Sequence, residues 1–206
     1  MTIKTVMVKN KIDILDGGRV STAISCIPIG AGLFVGCLFC FLFENQISEK
    51  LIITFVEFST IHTNKSDAEI FSGIVLSIIP YLIIMYFLGT SARGTSAIFI
   101  LTFLKALGLS VATTYIYFTY ELKGIEYCLL VFFPGKILLI FSMLLLTENC
   151  YLTSKYIKKS IKNKNDSKVD LAKYDFRIVF IAFIMLISCV VEFVLIKAFS
   201  TLFVFS

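Results

Sequence analysis

The sequence predicts an all-α, polytopic membrane bundle of five transmembrane helices, with the N-terminus cytoplasmic and the C-terminus outside. The prediction rests on long apolar runs, a composition unsuited to water and a one-sided distribution of lysine and arginine. The apolar runs cover Val20–Phe43, Ile70–Ser91, Thr95–Tyr120, Tyr127–Thr147 and Ile178–Phe199. A helix of about 20 apolar residues crosses a hydrocarbon core about 30 Å thick, whereas helices of soluble cores are shorter and amphipathic. With 58% hydrophobic and 16% charged residues, a soluble domain of 206 residues would leave large apolar patches in water. So little polar chain separates the runs that residues 1–206 read as a single membrane domain.

Orientation follows from the cations, which collect on the cytoplasmic side of membrane proteins. One side holds Lys4, Lys9, Lys11 and Arg19 of the tail at 1–19, Arg93 after the second run, and Lys155, Lys158, Lys159, Lys162, Lys164, Lys168, Lys173 and Arg177 of a basic loop at 148–177. The other side has only Lys50, Lys65 and Lys123, beside seven carboxylates: Glu44, Glu49, Glu57, Asp67, Glu69, Glu121 and Glu126. The two sets alternate without conflict at every crossing. The first run begins about twenty residues in, exceeds a signal-peptide h-region and lacks a small-x-small cleavage site, so it reads as a retained signal anchor in the bacterial cytoplasmic membrane. The net charge of +5 belongs to these flanks. Nucleic acid is not expected as a partner, because aromatic and basic residues do not interleave on a polar surface.

Two connecting segments carry pattern. Residues 44–69 place Leu51, Phe55 and Phe58 on one helical face, which fits either an amphipathic helix in the outer interface or an external hairpin packed on the bundle. The Lys- and Asn-rich run at 155–168 is predicted to extend the fourth span as a solvated helix, setting topology or touching lipid headgroups.

Within the spans, charge is expensive, about 2.5–3.5 kcal/mol per residue even on lenient insertion scales. Lys105, Lys136 and Glu192 are the ones to explain. Both Lys105 and Glu192 fall near mid-span by residue count, so they are the predicted partners, read as a structural pin in preference to a proton or ion relay. Gly30, Gly32 and Gly36 line the first span, with Gly32 and Gly36 forming a small-xxx-small step that permits close helix approach and invites self-association. Ala97, Gly108 and Ala112 thin the third. Pro28, Pro80 and Pro134 each remove a helix hydrogen bond and predict bends, most of all at Pro134-Gly135, just before Lys136.

Catalytic arrangements are not recognisable. His62 is the single histidine and lies outside the spans. Cys26, Cys37, Cys40, Cys128, Cys150 and Cys189 lie in or beside apolar runs, where a thiol stays protonated and inert, so Cys37-x-x-Cys40 is not read as a redox pair. The Gly30-x-Gly32 pair sits in a membrane span and not in a strand-turn-helix unit. The stretch from Gly89 to Gly94 lacks the spacing and preceding strand of a nucleophile elbow. No enzyme, cofactor or metal is expected.

The order of features resembles a known family. It comprises a basic tail, a Gly-rich first span, an external segment with an apolar face, and FLGTSARGTSAIFILTFLKALGLSVATTYIYF at 87–118. VFFPGKILLIF in the fourth span and VVEFVLIKAFSTLF at 190–203 complete it. Together these are similar to the stage II sporulation protein M family over nearly the whole chain. The telling points are Gly89-x-Ser91, Phe103-Leu104-Lys105-Ala106 with Gly108, Pro134 and Glu192. Ala106 stands where the family commonly has Gly, which predicts slightly looser helix approach. The resemblance implies a non-catalytic scaffold of the engulfment machinery in endospore-forming bacteria, in the mother-cell membrane at the sporulation septum. Its partners would be stage II sporulation proteins D and P, which remodel peptidoglycan. The alternative is a subunit of a small transporter or an ABC-exporter-associated component, with Lys136 and Glu192 lining a polar path.

Overall fold

Among the described residues every predicted apolar run is helical, apart from Ser91 at the end of the second. The computed structural model describes residues 3–42, 66–163 and 171–199, with side chains except at 3–21, 119–121, 123, 124, 162, 163 and 171. The helices are α1 (Ile3–Leu42), α2 (Asp67–Thr90), α3 (Thr95–Tyr127), α4 (Phe133–Asn163) and α5 (Leu171–Phe199), with a π-helical turn at Cys128–Phe132 between α3 and α4. No strand occurs among the described residues. Five stretches are long and apolar enough to cross a membrane: Thr22–Leu42, Asp67–Thr90, Thr95–Phe118, Ile125–Ile161 and Ala172–Phe199. The chain is a multi-pass membrane protein.

The helix ends depart from the predicted runs for local reasons. The backbone of α1 is helical from Ile3, well before the apolar stretch. Asp67 opens α2 three residues early because Ser66 and Glu69 match the S-x-x-E capping pattern, with the Ser66 N–H donating to Glu69 Oε2 at 3.0 Å. As predicted, α4 continues through the lysine-rich run, to Asn163. The expected basic loop at 148–177 is therefore mostly helix, its two halves belonging to α4 and α5. The segment 44–65, with His62 and the amphipathic pattern, lies outside the described residues.

Helix assignment runs on past the reversal between the third and fourth spans. Cys128 Sγ reaches the Thr113 carbonyl at 4.0 Å, whereas fifteen residues of straight helix would separate them by about 22 Å. The chain has thus turned back by Cys128. The π turn that follows precedes Pro134, whose ring would clash with a carbonyl one turn back in a regular α-helix. Through Pro28 and Pro80 the helices continue without a change of type.

The bundle is organised around α4, which packs against α1, α2, α3 and α5. The backbones of α3 and α5 do not approach each other among the described residues, nor does that of α1 approach α2 or α5; at the end of α3, Tyr127 shares a side-chain cluster with Leu195, Ile196 and Phe199 of α5. A β-carbon on Gly32 would stand 2.6 Å from the Phe103 carbonyl and 2.8 Å from Ala106 Cβ, and one on Gly36 2.8 Å from the Leu107 carbonyl. Cys40 Sγ then reaches the Val111 carbonyl at 3.6 Å. The residue offset stays nearly constant along this seam, so α1 and α3 run parallel. Gly30, predicted to share it, has no atom within 4 Å of a would-be β-carbon. The stripe is Ser25, Pro28, Ile29, Gly32, Gly36 and Cys40, all buried. Its spacing of three and four residues leaves Gly30 on the opposite face.

Ile74, Met85, Ile98, Leu139, Met143, Leu146 and Met185 form the centre. A polar knot crosses it: Thr102 Oγ1 lies 3.0 Å from Thr147 Oγ1 and 3.5 Å from Tyr81 Oη. Both threonine hydroxyls also donate to carbonyls of their own helices, Ile98 and Met143, at 2.8 Å. Phe34, Phe87, Phe176 and Phe183 point outward, where lipid accepts them.

Charged and polar groups form a belt at each end of this apolar zone. At the end that carries the 91–94 turn, Thr22 donates to Glu148 Oε1 at 2.9 Å, Tyr86 to Asp175 Oδ1 at 3.1 Å and Arg177 to Asn149 Oδ1 at 3.4 Å. At the other end Lys197 pairs with Asp67. From Arg177 to Lys197 is about twenty residues of α5, hence about 30 Å, which is the thickness of a hydrocarbon core.

Candidate functional site

Near the end that carries Asp67, one turn of α4 gathers the features that sequence flagged separately. Pro134 forbids a regular hydrogen bond, and the π turn before it closes with the Phe133 N–H donating to the Cys128 carbonyl. Gly135 follows, and a β-carbon there would sit 3.0 Å from Glu192 Cβ and 3.4 Å from its Cα. This is a direct contact of α4 backbone with α5. Ser188, one turn before Glu192, donates its hydroxyl to the Gly135 carbonyl at 2.7 Å. Because Pro134 and Gly135 bring the helices together, the next side chain, Lys136, is delivered to α5. Its Nζ lies 3.0 Å from Glu192 Oε2, with side-chain exposures of only 5% and 2%. The same ammonium stands 4.6 Å from the Phe132 ring centroid, over the ring face, in cation–π range.

The predicted pairing of Lys105 with Glu192 is therefore corrected: the carboxylate belongs to Lys136. The backbones of α3 and α5 do not approach each other, and depth separates the two residues as well. Thr102 meets Thr147 on α4, and Cys150, one turn along, meets Tyr174 of α5 at 3.5 Å. Counting outward from those contacts, Glu192 lies roughly 15–20 Å farther along the bundle than Lys105. Lys105 instead donates to the Ser77 carbonyl of α2 at 3.0 Å.

The remaining candidates divide by position. Gly32 and Gly36 belong to the α1–α3 seam, and Ala106, whose methyl meets Gly32, is buried within it. Gly108 is buried on α3. Pro134 is part of the α4–α5 junction. The pairing also needed neighbours that were not singled out, Ser188 and Phe132, whereas Gly135 was flagged only as part of a bend. Ser188 was detectable as the polar residue four before Glu192, on the same helical face.

A second junction closes the opposite end. A β-carbon on Gly89 would stand 2.1 Å from Tyr174 Oη and 3.2 Å from Cys150 Cα. Tyr174 donates to the Tyr86 carbonyl at 3.2 Å and stacks on the Tyr86 ring. Ser154 of α4 donates to the Ser91 carbonyl at 2.6 Å. Gly94 completes the turn, where a β-carbon would overlap the Leu88 carbonyl at 2.0 Å. The Gly89-x-Ser91 motif thus locks the α2–α3 turn onto α4 and α5.

Chemically, the pair is an internally neutralised charge buried between two helices. Removing one partner of such a pair strands a charge and costs about 3–5 kcal/mol, whereas the intact pair contributes little net stability against an apolar substitute. Among the described residues no cluster of histidine, cysteine, aspartate or glutamate has metal-site geometry, and all six cysteines are free thiols.

Comparison with known proteins agrees with the resemblance. No curated protein and no solved structure matches the chain. The profile described as stage II sporulation protein M matches residues 25–195, a range holding both glycine seams, the 91–94 turn and the Lys136–Glu192 junction, and the chain belongs to that family.

Proposed function

We propose that this protein is a non-catalytic membrane scaffold that anchors a peptidoglycan-remodelling complex during forespore engulfment. Family membership supports the sporulation role. The observation that carries the scaffold reading is the Lys136–Glu192 pair, which ties α4 to α5 at a glycine contact and closes the bundle's buried charge on itself. A bundle locked in this way holds one shape while partners dock on it. The docking surface in this reading is the 44–69 segment with the adjoining spans, facing outside the mother-cell membrane, and the partners are stage II sporulation proteins D and P.

Affinity copurification from sporulating cells tests the reading. Recovery of cell-wall hydrolases with the wild type, and reduced recovery or abundance with Glu192→Gln, is the expected outcome. Recovery of an ATPase in place of hydrolases would transfer the protein to the transport-associated class. Thiol labelling at introduced cysteines separates the classes independently. Positions 136 and 192 protected from membrane-impermeant reagents fit a pinned bundle, and labelled positions fit a polar path.

A further inference from the structure

Between α4 and α5, at the level of the 91–94 turn, lies an open groove of about 380 Å³. Its walls are apolar, formed by Leu145, Leu152, Phe180 and Ile181, and its polar groups are Glu148, Asn149 and Arg177. Phe176 and Phe180 are 75% and 58% exposed, so the groove opens on the lipid-facing side of the bundle. Arg177 belongs to the polar belt about 30 Å from Lys197, which puts its guanidinium at the hydrocarbon boundary, where lipid phosphates lie.

The charge at the rim is unevenly used. A guanidinium carries five N–H donors in a fork that matches a phosphate, and Arg177 makes one described hydrogen bond, to the neutral Asn149 amide at 3.4 Å. The Glu148 carboxylate is turned to α1, accepting from Thr22. Lys155, Lys158 and Lys159 on the continuing turns of α4, and Lys173 one turn before Arg177, are exposed at the same end. A cationic rim above an apolar furrow complements a molecule with an anionic head and hydrocarbon tail. Basic pockets between helices at this depth take anionic headgroups.

We propose that this groove binds one anionic phospholipid of the leaflet facing the 91–94 turn, its phosphate on Arg177 and one acyl chain along Leu145, Phe180 and Ile181. The site is independent of the scaffold reading, because it uses neither the 44–69 segment nor the Lys136–Glu192 pair.

Native mass spectrometry of the delipidated full chain in detergent, titrated with phosphatidylglycerol or with phosphatidylcholine of the same chains, tests it. The wild type should retain phosphatidylglycerol in preference to phosphatidylcholine, with one bound lipid saturating first. Arg177→Gln should weaken phosphatidylglycerol roughly tenfold, the value of a charge-assisted contact, and phosphatidylcholine by less, because the choline cation already offsets its phosphate. Lys197→Gln, at the opposite belt, should leave both unchanged. An excess of glycerol phosphate should not displace the lipid, because it lacks the chain that fills the groove. Equal affinity of the wild type for the two lipids overturns the proposal without any variant. So does equal loss in the two variants, or displacement by glycerol phosphate.

Discussion

Lys136 and Glu192 meet at 3.0 Å where Gly135 lets the backbone of α4 touch α5. The position of the cation is thus set by the residue before it. Either single neutralisation leaves a buried charge without its counterpart, so Glu192→Gln and Lys136→Met should each destabilise the detergent-solubilised protein by about 3–5 kcal/mol. The double variant Lys136→Met with Glu192→Met should recover most of that loss. Unfolding followed by circular dichroism decides it, and losses that simply add would show that the pair is not coupled.

Lys105 supplies the matching control. Its ammonium is held by the Ser77 carbonyl of α2, well short of the depth at which Glu192 meets Lys136. Lys105→Met and Glu192→Gln should therefore combine additively, within about 0.5 kcal/mol. A coupling larger than that would revive the pairing that span position alone suggests.

The α1–α3 seam tolerates no added bulk at its glycines. A β-carbon at Gly32 or Gly36 would meet main-chain carbonyls of α3 at 2.6 and 2.8 Å, and backbone cannot swing aside as a side-chain tip can. Gly32→Val and Gly36→Val should each cost about 1–3 kcal/mol, while Gly30→Ala, with open space around it, should be close to neutral. Thermal unfolding in detergent ranks the three, and a loss at Gly30 equal to that at Gly32 would contradict the seam.

At the turn, Gly89→Ala collides first with the Tyr174 hydroxyl. Tyr174→Phe removes that oxygen together with its hydrogen bond to the Tyr86 carbonyl, so alone it should cost about 1 kcal/mol. In the Gly89→Ala background the same change should restore stability, though only partly, because the ring carbon also lies within 3.0 Å. Failure of the second change to help would mean that the clash lies with the Cys150 backbone.

The topology expected from lysine and arginine has a direct readout. A phosphatase reporter fused after Ser206 should be active outside the membrane, and one fused before Met1 should be silent. Activity of the first fusion only in the cytosol would reverse the assignment.

Much of the architecture was legible because hydrophobicity is a local property. Each run from Val20 to Phe199 exceeds the length a bilayer requires, whatever its neighbours do, so the span count and the helical class could be read directly. The lysine run after Tyr151 likewise announced a helix leaving the membrane, and α4 continues to Asn163. The Gly32–Gly36 step was readable as a close contact, although its partner helix was not.

Neighbourhood was not legible. Lys105, Lys136 and Glu192 stand out equally in the linear chain, and residue counting places Lys105 and Glu192 at similar depth only if every span starts at the same level. In the folded bundle α4 stands between α3 and α5, and α5 begins deep enough to carry Glu192 beyond Lys105. Length and polarity, which each residue carries with it, dictate how many times this chain crosses the bilayer. Which charge answers which depends on the rotation and axial offset of rods packed around α4. Those emerge only when glycine contacts such as Gly32 with Ala106 and Gly135 with Glu192 draw the rods together.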